Sequence, residues 1–211
     1  MINGLAGAGY LISFGYVFMT LREQRNNFLV LSEIQTGSRW ITISSLLAVI
    51  AALFQLAPVF LPVVGMALSP LSSIPMVISV LMFADKAAAT FLITAALLFL
   101  FNVEEAIIFL LATGPLGLAA ATAAISRGSS LKKGLLPASL LSFGILLLVF
   151  LIGLPGLTSL VSVLNAGALL AIAAFSYLYS LLFMGITRFL QQRIMPLMAS
   201  KEVKLGPKEK L

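Results

Sequence analysis

The sequence predicts an all-α fold: a polytopic membrane bundle of six transmembrane helices, seven if an N-terminal apolar segment also spans. Three observations predict it. The 211-residue chain is 61% hydrophobic and 9% charged, against roughly 25% charged residues in an average soluble domain. Several uncharged stretches approach or exceed the roughly 20 residues that cross a bilayer as a helix. Lys and Arg are confined to segments between and after these stretches, all on one side of the topology they define.

Taken in order, Met1 to Leu21 is apolar but carries Gly4, Gly7, Gly9 and Gly15, which weaken helix propensity. No basic residue precedes it, so it does not read as a secretory signal; it either spans, lies at the interface or lies against the bundle. The polar run REQRNNFLVLSEIQTGSR, residues 22–39, leads to Trp40, placed as an interfacial anchor. Ile41 to about Leu61 is the first secure span. LAPVFLPVVGMALSPLSSIP, residues 56–75, then holds four prolines and no charge. Proline donates no backbone hydrogen bond and disfavours helix before it, so this stretch is expected to be an extracytoplasmic loop. Its carbonyls cannot face lipid, which makes it a lid over the bundle or a spacer on the membrane surface.

A short span, Ile74 to Ala84, ends at a turn of Asp85 and Lys86, and Ala87 to Phe101 returns. Glu105 to Ile125 contains Gly114, Pro115 and Gly117, a combination that predicts a kink. Leu135 to Leu154 and Ala166 to Phe189 complete the set. The inner loops then carry Lys86, Arg127, Lys132 and Lys133, and the tail carries Arg188, Arg193, Lys201, Lys204, Lys208 and Lys210. The outer loops carry none, which predicts a multi-pass membrane protein with its C-terminus in the cytoplasm. The organisation is thus an apolar helix and polar connector over 1–40, a transmembrane bundle over 41–190 and a basic tail over 191–211.

The chemistry is sparse. The chain has no His and no Cys, and Asp85 is the lone aspartate, which removes Ser-His hydrolysis, paired-aspartate proteolysis and imidazole or thiolate metal sites. No phosphate-binding loop occurs. The chain therefore reads as a non-enzyme with no cofactor and no metal. Its net charge of +6 fits anionic lipid headgroups, not nucleic acid. No charge lies mid-span, as a coupled carrier would require.

What remains is a mildly polar outer half: Gln55, Thr94, Asn102, Glu105, Thr113 and Asn165, with Glu104 and Ser162 nearby and Tyr177 and Tyr179 deeper. A few polar groups in an apolar wall are the usual make-up of a small-molecule site. Glu104 and Glu105 also suit a helix N-terminus, as partners of its dipole. Ala48 and Ala52, one turn apart on the first secure span, allow close approach of another helix; similar pairs occur at Ala84 and Ala88, Ala119 and Ala123, and Gly167 and Ala171.

The stretches ISSLLAVIAALFQLAPVFLPVVGMALSPLSSIPMVISVLMFADKAAATFLITAAL and EEAIIFLLATGPLGLAAATAAISRG resemble the substrate-binding S components of energy-coupling-factor transporters and related bacterial membrane proteins. The resemblance spans roughly residues 41–190. It implies that Ala48 and Ala52 form a docking surface for a transmembrane coupling subunit driven by cytoplasmic ATPases. It further implies that residues 56–73 cap the substrate, that Ala84 to Ala88 form a small-residue turn, and that Gly114, Pro115 and Gly117 interrupt the fourth helix. The expected function is capture of a small, rather apolar nutrient for ATP-driven uptake. The competing expectation is a non-transport membrane scaffold or assembly partner.

Overall fold

The computed structural model describes residues 2–24, 39–84, 86–125, 130–151 and 166–204. Among them there is helix and no strand. Six helical segments are long and apolar enough to cross a membrane: Gly4–Arg22, Arg39–Phe60, Pro62–Phe83, Val103–Ile125, Lys133–Phe150 and Ala166–Ile194; Ala87–Phe101 is a shorter apolar helix between them.

The N-terminal segment is helix α1 (Ile2–Gln24). It packs on the bundle through Ala6, Tyr10, Val17 and Leu21, all buried, while Leu11 and Ile12 face outward. Of its glycines, Gly9 lies against the Phe143 ring, where a Cβ would come within 2.6 Å. The alternatives left open by sequence thus resolve to a seventh helix packed within the bundle.

Helix α2 (Arg39–Phe60) is followed by one non-helical residue, Leu61, with φ −133° and ψ 78°. The chain then reverses into α3 (Pro62–Leu68), a 3₁₀ turn (Ser69–Ser72) and α4 (Ser73–Phe83). The expected loop or lid over residues 56–73 is therefore corrected: residues 56–60 finish α2, and from Pro62 the chain is helical and forms the first half of the next span. The physical reason lies in where the prolines fall. Pro62, Pro70 and Pro75 occupy first-turn positions, where a missing N–H costs no intrahelical bond. Gly65 removes the remaining obstacle, because a Cβ there would overlap the Ala57 backbone.

Ala84 and Lys86 form the turn into α5 (Ala87–Phe101), with the Lys86 N–H bonded to Phe83 O at 2.9 Å. The Lys86 ammonium stands 4.8 Å from the centroid of the Trp40 ring, which sets that turn level with the start of α2. Asn102, again one extended residue, reverses the chain into α6 (Val103–Ile108), a π-helical turn (Phe109–Thr113) and α7 (Gly114–Ile125). Helices α8 (Ser130–Leu151) and α9 (Ala166–Lys204) close the bundle.

Helix α7 is its axis. Residues Gly114 to Ala123 are buried without interruption, and α7 packs against α1, α4, α8 and α9. Small residues make this possible: Cβ atoms at Gly117 and Gly144 would strike the Ser73 and Leu111 carbonyl oxygens respectively. The opposite faces are apolar and exposed, including Leu53, Leu92, Leu100, Leu170 and Leu178, as a lipid-facing surface requires.

Ala48 is fully buried and Ala52 nearly so, on the face of α2 that meets its neighbours within the chain. The expectation of an open docking surface at this pair is corrected accordingly. Small residues let the chain's own helices close upon them, and among the described residues the pair is covered from within the chain.

Candidate functional site

Two of the seven helical spans are interrupted, and the interruptions meet. The 3₁₀ turn in the α3–α4 span and the π turn in the α6–α7 span both reach Gln55 on α2. The Gln55 amide is fully buried. Its Oε1 accepts hydrogen bonds from Ser72 Oγ at 2.8 Å and Thr113 Oγ1 at 2.7 Å, and its Nε2 donates to Glu105 Oε2 at 2.8 Å. Ser73 Oγ donates to the Thr113 carbonyl at 2.7 Å, tying the two interruptions directly.

The π turn follows from the sequence. Pro115 has no N–H, so a carbonyl one turn back loses its donor. Two carbonyls of the interrupted segment are served by side chains instead: Leu110 O by the Tyr10 phenol and Thr113 O by Ser73. The irregular backbone is tolerated because its polar groups are satisfied inside protein. Such π turns recur at functional sites.

The cluster lies below the end of the bundle. Gln55 follows Trp40 by fifteen residues, and Asn102 follows Lys86 by sixteen, so both stand about 23 Å from the Trp40–Lys86 level at 1.5 Å per residue. Helix α2 continues past Gln55 to Phe60, roughly 7 Å further. The Glu105 side chain, 9% exposed, is therefore recessed within the apolar layer, while Glu104 beside it is exposed. The antiparallel course of the helices puts Arg22, Arg39, Lys86, Lys133, Arg188 and Arg193 at the opposite end. Among the described residues, Glu105 has neutral donors for neighbours and no cation.

Of the residues singled out from sequence, Gln55, Glu105 and Thr113 come together. Asn102 adjoins them, but its Oδ1 accepts from the Glu105 N–H at 3.0 Å, which makes it the N-cap of α6. Thr94 belongs elsewhere: its hydroxyl donates to Thr90 O on its own helix, and Thr90 Oγ1 takes a bond from Ser79 across to α4. Asn165 and Ser162 lie outside the described residues. Tyr179 stacks between Phe175 and Phe183, with ring centroids 5.6 and 5.1 Å away. Sequence reasoning missed Ser72, Ser73 and Tyr10. The two serines were legible as hydroxyls in an uncharged apolar stretch, but they fell in the segment read as a loop.

Chemically, the cluster combines one carboxylate, one amide and two hydroxyls between two breakable helices. It offers acceptors and donors for a small polar group, framed by the apolar side chains of the bundle. No family model, curated protein or solved structure matches the chain.

Proposed function

We propose that the protein captures a small solute at the Gln55–Glu105–Thr113 cluster and passes it across a bacterial cell membrane, in the manner of an S component. The observation that carries this reading is the meeting of two interrupted helices at one buried polar cluster. Discontinuous helices supply solute and ion sites in transport proteins because their broken turns expose polar backbone and can shift without unfolding the rest. An ionisable residue retained inside the apolar layer marks function by default. The basic end faces the cytoplasm by charge bias, so the cluster receives solute from outside. Coupling to cytoplasmic ATPases through a membrane subunit belongs to the same proposal, by way of a face other than that of Ala48 and Ala52.

Burial of Ala48 and Ala52 favours a second reading, a self-contained bundle that serves as a scaffold or assembly partner. Thermal unfolding of the purified protein in detergent, against a panel of small vitamin-like nutrients, separates the two. A ligand at a hundred times its Kd stabilises by about 2.7 kcal/mol. Capture predicts such a shift for one chemical class, lost in Thr113→Val. No shift with any class, and no ATPase co-purifying with the wild-type protein, would sink the transport reading in favour of the scaffold.

A further inference from the structure

The hydrogen bonds at Gln55 have a direction, and that direction is reversible. As the cluster stands, Ser72 and Thr113 donate to Oε1 and Nε2 donates to Glu105. A half-turn of the amide exchanges its acceptor and donor at nearly the same positions. Oε1 would then face Glu105 Oε2 across the same 2.8 Å. Two oxygens at that separation repel unless a proton lies between them, and 2.8 Å is the usual length of an O–H···O bond.

The rest of the network closes in the reversed state as well. Nε2 has two hydrogens, one for Ser72 Oγ and one for Thr113 Oγ1. Their displaced hydroxyl hydrogens have a place to go, the carbonyl one turn back in their own helices. Thr94, Thr122, Ser180 and Thr187 already bond in that way, at 2.7–2.8 Å. The same four side chains can thus be matched by hydrogen bonds in two arrangements, which differ by one proton.

We propose that Glu105 is a proton-binding site and that the Gln55 amide relays its state to Ser72 in the 3₁₀ turn and Thr113 in the π turn. The proton comes from water at the Glu104 end, forms the O–H bond on Glu105, and leaves by the same route. With Glu105 ionised, Gln55 holds both hydroxyls from the front. With Glu105 protonated, the hydroxyls bond back to their own carbonyls, an arrangement that bends helices. One proton thus acts on both interrupted spans at once. The charged surroundings are simple. Helix α2 beyond Trp40, the 61–84 segment and α5 carry no titratable side chain. Helix α1 brings Tyr10, whose phenol is bonded to Leu110 O, and Tyr16. Helix α8 has Lys133 at the far end, and α9 has Tyr177 and Tyr179 with Arg188 and Arg193 beyond them. Glu104 is the one carboxylate beside Glu105 among the described residues.

This assignment deepens the solute-site reading, but its test needs no solute, so the two can fail separately. Infrared difference spectra of the purified protein in phosphatidylcholine vesicles are taken across pH steps. Acidification is expected to raise a carboxylic-acid C=O band and, in step with it, to shift a side-chain amide C=O band. Both signals are lost in Glu105→Gln and both persist in Glu104→Gln, while Thr113→Val alters the amide band alone. The proposal is overturned if the acid band persists in Glu105→Gln. It is equally overturned if Glu104→Gln abolishes that band, or if the wild-type acid band rises with no movement of the amide.

Discussion

Gln55 on α2 ties the 3₁₀ turn, the π turn and α6 together through one buried amide. Three side chains use it; if it becomes Leu, the Ser72 and Thr113 hydroxyls can turn back to carbonyls of their own helices, but the buried Glu105 carboxylate loses its donor. A buried group deprived of its partner costs about 1–3 kcal/mol, so Gln55→Leu is expected to lower stability by that order or more, read by denaturant titration in micelles. Thr94→Val should cost less, because the Thr94 hydroxyl donates only to Thr90 O one turn back and leaves no second side chain stranded. The glycines make a sharper contrast. Gly144→Ala drives a methyl into the Leu111 carbonyl, whereas a methyl at Gly185 meets nothing within 4 Å. The first should destabilise by about 1–3 kcal/mol through overpacking. The second should be neutral or stabilise by up to roughly 1 kcal/mol, since alanine favours helix over glycine. A polar residue in an apolar span is legible from sequence because lipid tolerates it only with a partner, and Gln55, Glu105 and Thr113 were legible for that reason. Which partner each takes depends on helix rotation and register, and for that reason Thr94 and Asn102, equally conspicuous in the sequence, turned out to serve their own helices.

At the scale of elements, apolar length and the charges flanking it located α2 and α5 well, and the start of α9. Helix α8 begins earlier than expected, at Ser130, and α9 runs on to Lys204 through residues read as a tail. Gly114, Pro115 and Gly117, read as a kink, lie just after the interruption of the α6–α7 span, which takes the form of a π turn at Phe109–Thr113. The proline count misled at residues 56–75, because number was weighed and position was not. Three of the four prolines stand where a helix begins, and only Pro58 lies inside one. The single extended residues Leu61 and Asn102 do the work assigned to a loop. Small-residue spacing at Ala48 and Ala52 signalled close helix approach, yet spacing alone does not say whose helix approaches. Ala48→Trp is therefore expected to destabilise the isolated protein by several kcal/mol, visible as loss of a monodisperse peak in size-exclusion chromatography. A folded, monodisperse Trp variant would show that this face has room that its burial denies.

At the scale of the whole molecule, the alternation of seven helices separates charge by end, with the described Lys and Arg together and Glu104 opposite. The chain contains no cysteine, so single cysteines report topology with no background to remove. In intact cells, Glu104→Cys is expected to react with a membrane-impermeant maleimide, and Lys133→Cys only after the membrane is opened. The reverse pattern would invert the bundle and put the polar cluster on the cytoplasmic side. The one-residue reversals bear on how such a molecule is made. Leu61 and Asn102 leave no tether between the spans they join, so the first span of each pair cannot settle across the bilayer while the second waits outside. The geometry favours entry of each pair as a hairpin, α2 with the α3–α4 span and α5 with the α6–α7 span. Gln55 and Ser72 arrive in the first hairpin, Glu105 and Thr113 in the second. The polar cluster is thus completed only when the two hairpins meet, which makes its hydrogen bonds a checkpoint of membrane assembly as well as a feature of the finished protein.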